Sequence, residues 1–389
     1  MALTVLRRKP DSGLGNIHAS PSAPSRNIDW VLMTTQAALS LIGLAIIYSA
    51  TRTKNANAFL FVTRQEIFLI AAVLTMVAVM AVDYSWWRER ARFLYAATIL
   101  ALILVRLAGT LNEGARLSFD LGPVRLQPAE FAKFTVLLLL AGYLSEEAKD
   151  EQGLPYHRFI TGLLMVGGPA ALVILQPDLG TASVLITLAM GVLLVAGAKA
   201  RYIFMITVLS AATVAAAFIT PGVVNQYQKD RLLVFVDPDR CEVTRDLCFQ
   251  GENAVKAIAT GGITGKGWLK GPLTNARSDI PVQWADFPMT AVGEQFGLVG
   301  MGAVLGLFAL LLLRIWRIAL LSRDMMGTYI CAGVFTMILW QVFQNLAMAL
   351  KLMPITGLPM PFVSYGGSSV VSFFAMLGLV QSVHMRRYR

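Results

Sequence analysis

The sequence is short of charge. Of its 389 residues only 14% are Asp, Glu, Lys or Arg, while 56% are apolar; a water-soluble globular chain carries about 25% charged residues. That shortage excludes a cytosolic enzyme and a disordered chain. Cysteine is scarce too, with three in all, which excludes a small fold stapled by a disulfide framework. Histidine also numbers three, and with both types scattered there is no zinc-type ligand set. What the chain does hold is long apolar runs from residue 30 onward and a mean hydropathy of +0.62. These describe a polytopic membrane protein.

Only helices and closed barrels cross a bilayer, because every backbone polar group must be satisfied internally. Barrel strands alternate apolar and polar residues, whereas Phe134–Leu140 and Val304–Leu313 are apolar almost throughout. The fold class expected is therefore all-α, with ten segments near span length: 29–50, 66–83, 93–110, 128–144, 159–175, 179–197, 202–220, 290–313, 326–350 and 365–383. Between the fifth and sixth, Gln176-Pro177-Asp178 predicts a tight turn rather than one long helix.

The net charge of +10 points to basic cytoplasmic loops rather than to nucleic acid. With the N-terminus inside, the inner segments carry 17 Lys and Arg and the short outer loops 6. N-in and C-in is the expected topology. Residues 1–28 read as a mobile cytoplasmic tail without a cleavable signal, residues 29–383 as one membrane domain, and 384–389 as a basic tail. The stretch 221–289 is a long extracytoplasmic loop. Trp86, Trp87 and Trp316 fit interfacial belts. Cys331 lies mid-span as packing; Cys241 and Cys248 share the outer loop, an oxidising place where a bridge between them can persist.

Ionisable groups inside spans are functional candidates. Arg106 lies near a span end, where snorkelling accounts for it. Glu130 and Lys133, three apart after Gln127-Pro128, share a helix face and can pair; either they lock helices together or they wall an outward-facing cavity, with Lys133 meeting an anionic substrate. Asp178 sits at a span edge. Arg116 and Arg125 flank a loop beside this helix, and guanidinium forks suit phosphate or pyrophosphate. The long loop opens with Tyr227 to Arg231 and passes the glycine-rich Gly261 to Gly267. It closes at Trp284-Ala285-Asp286-Phe287, where Asp286 is either a solvated loop acid, the reading its position alone favours, or a carboxylate whose partial desolvation suits general-base work. The last outer loop, Met353 to Ser369, carries three prolines before Ser364 and glycines before Ser368. Such broken backbone at membrane depth lines a protein-enclosed or wet cavity.

Taken in order, these motifs resemble the SEDS (shape, elongation, division and sporulation) family, most of all its rod-shape (RodA) branch. The motifs are Gln127-Pro128-Ala129-Glu130 with Lys133, Gln176 to Thr181, Gly261-Gly262 to Gly267, Asp286-Phe287 with Gly293-Glu294, and Pro354 to Ser369. Ala129, Val282 and Asn253-Ala254 depart from the usual family residues.

The resemblance implies a peptidoglycan glycosyltransferase that polymerises lipid II on the outer face of the bacterial cytoplasmic membrane, for cell elongation and shape. It implies Asp286 as the essential carboxylate, as base or as ligand of a divalent cation (Mn²⁺ or Mg²⁺). Glu130, Lys133, Arg116, Gln127, Asp178, Arg231, Ser364 and Ser368 form the expected substrate-facing set. The implied partner is a class B penicillin-binding protein transpeptidase. The alternatives are a division-type (FtsW-like) polymerase of the same family and a lipid II flippase or transporter; the latter would need charged groups open to both faces, whereas the motifs cluster on one.

Overall fold

The structure, a computed structural model, describes residues 24–54, 57–112, 115–122, 124–146, 153–220, 235, 245–276, 280 and 282–388. Each apolar segment becomes one long helix: α1 (Trp30–Thr51), α2 (Leu60–Ala81), α3 (Tyr84–Ala108), α4 (Pro128–Leu144), α5 (Tyr156–Leu175), α6 (Leu179–Val195) and α7 (Ala200–Ile219). In the long loop come α8 (Arg245–Gly261), α9 (Pro272–Asn275) and α10 (Gln283–Asp286); then α11 (Pro288–Leu320), α12 (Met325–Ala349) and α13 (Gly367–Met385) complete the bundle. Seven of these, α1, α2, α3, α5, α11, α12 and α13, have the length and apolarity to cross a membrane. The chain is a multi-pass membrane protein.

Local sequence explains the helix boundaries. Aspartates cap four helices by accepting from an amide of the first turn. Asp29 takes Leu32 N–H, Asp83 takes Ser85 N–H, Asp178 takes Thr181 N–H and Asp324 takes Gly327 N–H, all at 2.8–2.9 Å. Pro128 and Pro288 stand in the first turns of α4 and α11, where the missing N–H costs nothing. Pro169 inside α5 removes the donor for the Met165 carbonyl. The Tyr95 hydroxyl of α3 donates to that carbonyl at 2.8 Å instead, so α5 is tied to its neighbour. As expected, Pro177 lies in the turn between α5 and α6. Arg106, exposed near the end of α3, donates to the Leu175 carbonyl at the end of α5.

Helix α13 is buried almost throughout and runs along α2, while α12 packs between α6 and α11. On the outside of the bundle, α2 and α3 present Ile67, Ile70, Leu74, Phe93, Leu100 and Leu107 to the surroundings. Apolar faces this large belong in lipid.

One addition to the all-helical reading lies between α3 and α4. Three short strands, β1 (Thr110–Asn112), β2 (Ala115–Leu121) and β3 (Val124–Leu126), form an antiparallel meander in the order β1-β2-β3. Phe119 faces Leu126 in register, and Asp120 faces Arg125.

The glycine-rich run is spliced into α11. Gly297 there has φ 63°, ψ −158° and breaks the helix. The carbonyls of Glu294 and Gln295 accept from the amides of Lys266 and Gly267 at 3.0 and 2.9 Å, and the amides of Leu298 and Val299 donate back to Gly262 and Ile263. Such close approach needs glycine: a side chain at Gly265, where φ is +79°, would run into the Gln295 carbonyl. The fully buried Glu294 carboxylate locks the splice. It accepts from the amides of Leu273 and Thr274, the Thr274 hydroxyl and the Lys266 ammonium at 2.7–3.0 Å. Replacing Glu294 by alanine leaves several buried donors without acceptors and is expected to destabilise the protein by about 3 kcal/mol. Thermal unfolding in detergent would register this as a lowered Tm; an unchanged Tm would mean the carboxylate holds nothing.

Candidate active site

Three helix beginnings meet at the end of the bundle that carries the long loop: those of α4, α6 and α13. Gln127 precedes α4; its amide donates to the Ser368 hydroxyl at 3.1 Å, and its side-chain amide donates to Asp178 Oδ2 at 3.2 Å. Ser368 in turn donates to the Arg125 carbonyl at 2.8 Å. One turn into α13, Ser372 donates to the Glu130 carbonyl at 2.7 Å. The three helix starts are thus knitted through side chains.

Below that rim lies the charged pair. Lys133 Nζ is 2.6 Å from Glu130 Oε2, with side-chain exposures of 0% and 2%. The spacing of three on α4 produces this contact, as read from the sequence. The ammonium also lies 5.1 Å from the centre of the Phe373 ring, a cation–π contact. Lys133 is therefore enclosed and paired, not open to a substrate as the sequence reading expected, while Gln127, Asp178 and Ser368 are only half-buried at the surface above it. Asp178 caps α6 and feels both charges of the pair. Burial pushes its carboxyl above the usual carboxylate range, reinforced by Glu130 and opposed by the Thr181 amide and hydroxyl and by Lys133.

The proline-bearing loop between α12 and α13 closes over α6. It is non-helical from 353 to 366, and Gly180 lets Leu358 press directly onto the first turn of α6. Ser364 is buried within this loop: its hydroxyl accepts from the Met360 amide at 2.8 Å, and its carbonyl accepts from Gln65. Its contacts shape the loop. Gln65 also accepts from the Gly366 amide, tying the loop to α2.

Asp286 ends α10 and is half-buried. Its carbonyl accepts from Asn345 Nδ2 at 2.8 Å, and the same amide donates to the Leu358 carbonyl at 2.9 Å. One buried asparagine of α12 therefore joins the aspartate turn to the loop that rests on α6. Gln344 beside it links Ser183 of α6 to Thr356 of the loop at 3.0 and 3.1 Å. Neither was singled out from the sequence, although adjacent amides in an apolar run were a visible signal.

The remaining expected residues lie apart or outside view. Arg116, on β2, is exposed and donates to the Leu107 carbonyl at 2.6 Å; Arg125 pairs with Asp120 at 3.2 Å. The meander directs both guanidinium groups to local partners. Arg231 and Cys241 fall outside the described residues, as does the side chain of Cys248, so the expected bridge between the two cysteines does too.

These features define a class: a multi-pass helical membrane protein with a buried ion pair under a polar rim, and a loop carboxylate tied to the same rim. A family model described as a cell cycle protein, covering FtsW, RodA and SpoVE, matches residues 29–389. The chain belongs to that family. It is 31% identical to the peptidoglycan glycosyltransferase MrdB of Escherichia coli K12 over 94% of its length and 97% of MrdB. It is also 31% identical to the stage V sporulation protein E of Bacillus subtilis, over 91% of this chain and 96% of that one. Among solved structures, a chain from a study of polymerization and crosslinking by a peptidoglycan synthase complex superposes with TM-score 0.76, at 30% identity over 93% of this chain and 99% of that chain. The rod-shape-determining protein RodA of Thermus thermophilus superposes with TM-score 0.69, at 28% identity over 93% and 98%.

Proposed function

We propose that the chain is a peptidoglycan glycosyltransferase of the bacterial cytoplasmic membrane, polymerising lipid II into glycan strands for elongation and shape. The loop-bearing end of the bundle faces outward, with both termini in the cytoplasm. What supports this reading is the joining of Asp286, through Asn345 and Leu358, to the rim of Gln127, Asp178 and Ser368. Charge and hydrogen-bonding capacity gather at the one end where a lipid-linked sugar would meet water.

In this reading Asp286 takes the proton of the acceptor sugar 4-hydroxyl as that oxygen attacks the donor anomeric carbon, with inversion. The undecaprenyl diphosphate leaves toward the rim, where Gln127 and Ser368 hold the donor, while the enclosed Glu130–Lys133 pair fixes the first turn of α4 beneath them.

Among the described residues no three His, Cys, Asp or Glu side chains gather into a metal cage. A hard divalent cation bound through one or two carboxylates, water and substrate phosphates needs no such cage, and the half-buried Asp286 carboxylate suits that open mode. Mn²⁺ or Mg²⁺ held there would neutralise charge developing on the diphosphate. A class B penicillin-binding protein is the partner we assign, in keeping with the synthase complex to which the chain is similar.

Purified chain with that partner, labelled lipid II and Mn²⁺ or Mg²⁺ should yield a ladder of glycan strands. Lipid II crossing sealed vesicles without any polymer would overturn the assignment in favour of a flippase.

A further inference from the structure

Helix α10 has four residues, too few to hold its own shape, so the aim of Asp286 is set by what grips the surrounding backbone. The residue that begins the turn, Val282, has φ 52°. A β-branched side chain in that left-handed region is strained and persists only where its surroundings over-determine it. Two grips come from the site already described: the Trp284 carbonyl accepts from the Tyr365 amide at 2.9 Å, and the Asp286 carbonyl accepts from Asn345.

The third grip comes from the opposite end of the chain. Directly after α1, Arg52 donates to the Leu269 carbonyl and to Asn275 Oδ1 at 2.7 and 3.3 Å, and the Thr53 hydroxyl donates to the Asn275 carbonyl at 2.7 Å. Lys54 reaches farthest, donating to the Ile280 carbonyl at 2.9 Å. Its ammonium lies 5.6 Å from the centre of the Trp284 ring. Phe61 of α2 packs against that ring and against Tyr365, each at 5.1 Å. The Trp284 side chain is thus held between a cation and an aromatic pair, two residues before the carboxylate.

We propose that the segment Arg52-Thr53-Lys54 is a strap that positions Asp286, with Lys54 acting through Ile280 and Trp284. The inference rests on Asp286 being the reacting carboxylate. Lys54 never needs to meet substrate; it fixes the strained turn from which the carboxylate projects. Both parts of its task, a hydrogen bond to a carbonyl and a cation over an indole face, can be done by arginine and by no neutral residue.

The test is steady-state kinetics on the full chain with lipid II. Lys54→Met should lower kcat about tenfold, since small misplacement of a reacting group is costly, with KM for lipid II within about twofold and Lys54→Arg restoring most of the rate. Hydrogen exchange should show the amides of Ala285 and Asp286 opening faster in Lys54→Met while α12 is unchanged. If Lys54→Met fails to accumulate, Trp284→Leu removes the other half of the contact and should show the same split. Wild-type kcat in the substituted chain, or a loss that appears in KM and Tm and is not rescued by arginine, overturns the strap. An inactive wild type would instead overturn the glycosyltransferase reading, so the two failures are distinguishable.

Discussion

Asp286→Asn should abolish glycan synthesis, lowering the rate roughly 10³-fold in line with the loss of a general base, while leaving the protein folded. The substitution changes one oxygen to an amide nitrogen and keeps the size. Its backbone carbonyl accepts from Asn345, a contact that the substitution does not touch. An equal Tm with lost polymer would therefore place the defect in chemistry. Full activity in Asp286→Asn, assayed as lipid II converted to polymer, would remove the carboxylate from the reaction under either role, as base or as cation ligand.

The second large effect concerns the enclosed pair. Lys133→Met leaves the Glu130 carboxylate buried without its partner, and such orphaned charges cost about 3–5 kcal/mol. The single variant should accumulate poorly and unfold well below wild type. Removing both charges together, Glu130→Leu with Lys133→Met, should recover stability to within about 1 kcal/mol, because a buried pair is often replaceable by apolar side chains of similar volume. Its polymerisation rate should nevertheless stay about tenfold down, since the pair sets the first turn of α4, from which Gln127 reaches Asp178 and Ser368, and small misplacement at the rim is costly. The paired measurements separate two roles. A double variant as active as wild type would make the pair a helix lock alone.

Much of this was legible in the chain because the bilayer constrains sequence so strongly. Each run of apolar residues became a helix, and the polar break at Gln176-Pro177-Asp178 became a turn, for reasons that act within a few residues. Glu130 and Lys133 were legible for the same reason: helical spacing alone brings them together. Their enclosure was not, because it depends on α13 and Phe373, far away in sequence. The meander escaped notice because its strands are short, although Leu117, Phe119 and Leu121 alternate with Ser118 and Asp120 as strand residues do. Asn345 and Lys54, and the anchoring task of Glu294 within its noted motif, escaped for a different reason. Each looks ordinary in its own segment and gains its purpose from a carbonyl or amide contributed by another part of the fold.

The splice at Gly297 bears on how the molecule can move. On either side of that glycine, α11 shares backbone hydrogen bonds with the turn at 262–267. Sliding this helix along its axis by even one residue would tear four such bonds and pull Glu294 from its nest of donors. It cannot work as a piston. Whatever rearrangement admits a bulky lipid-borne sugar and later frees the longer strand must come from helices without such stitching, leaving α11 as the fixed post against which they swing.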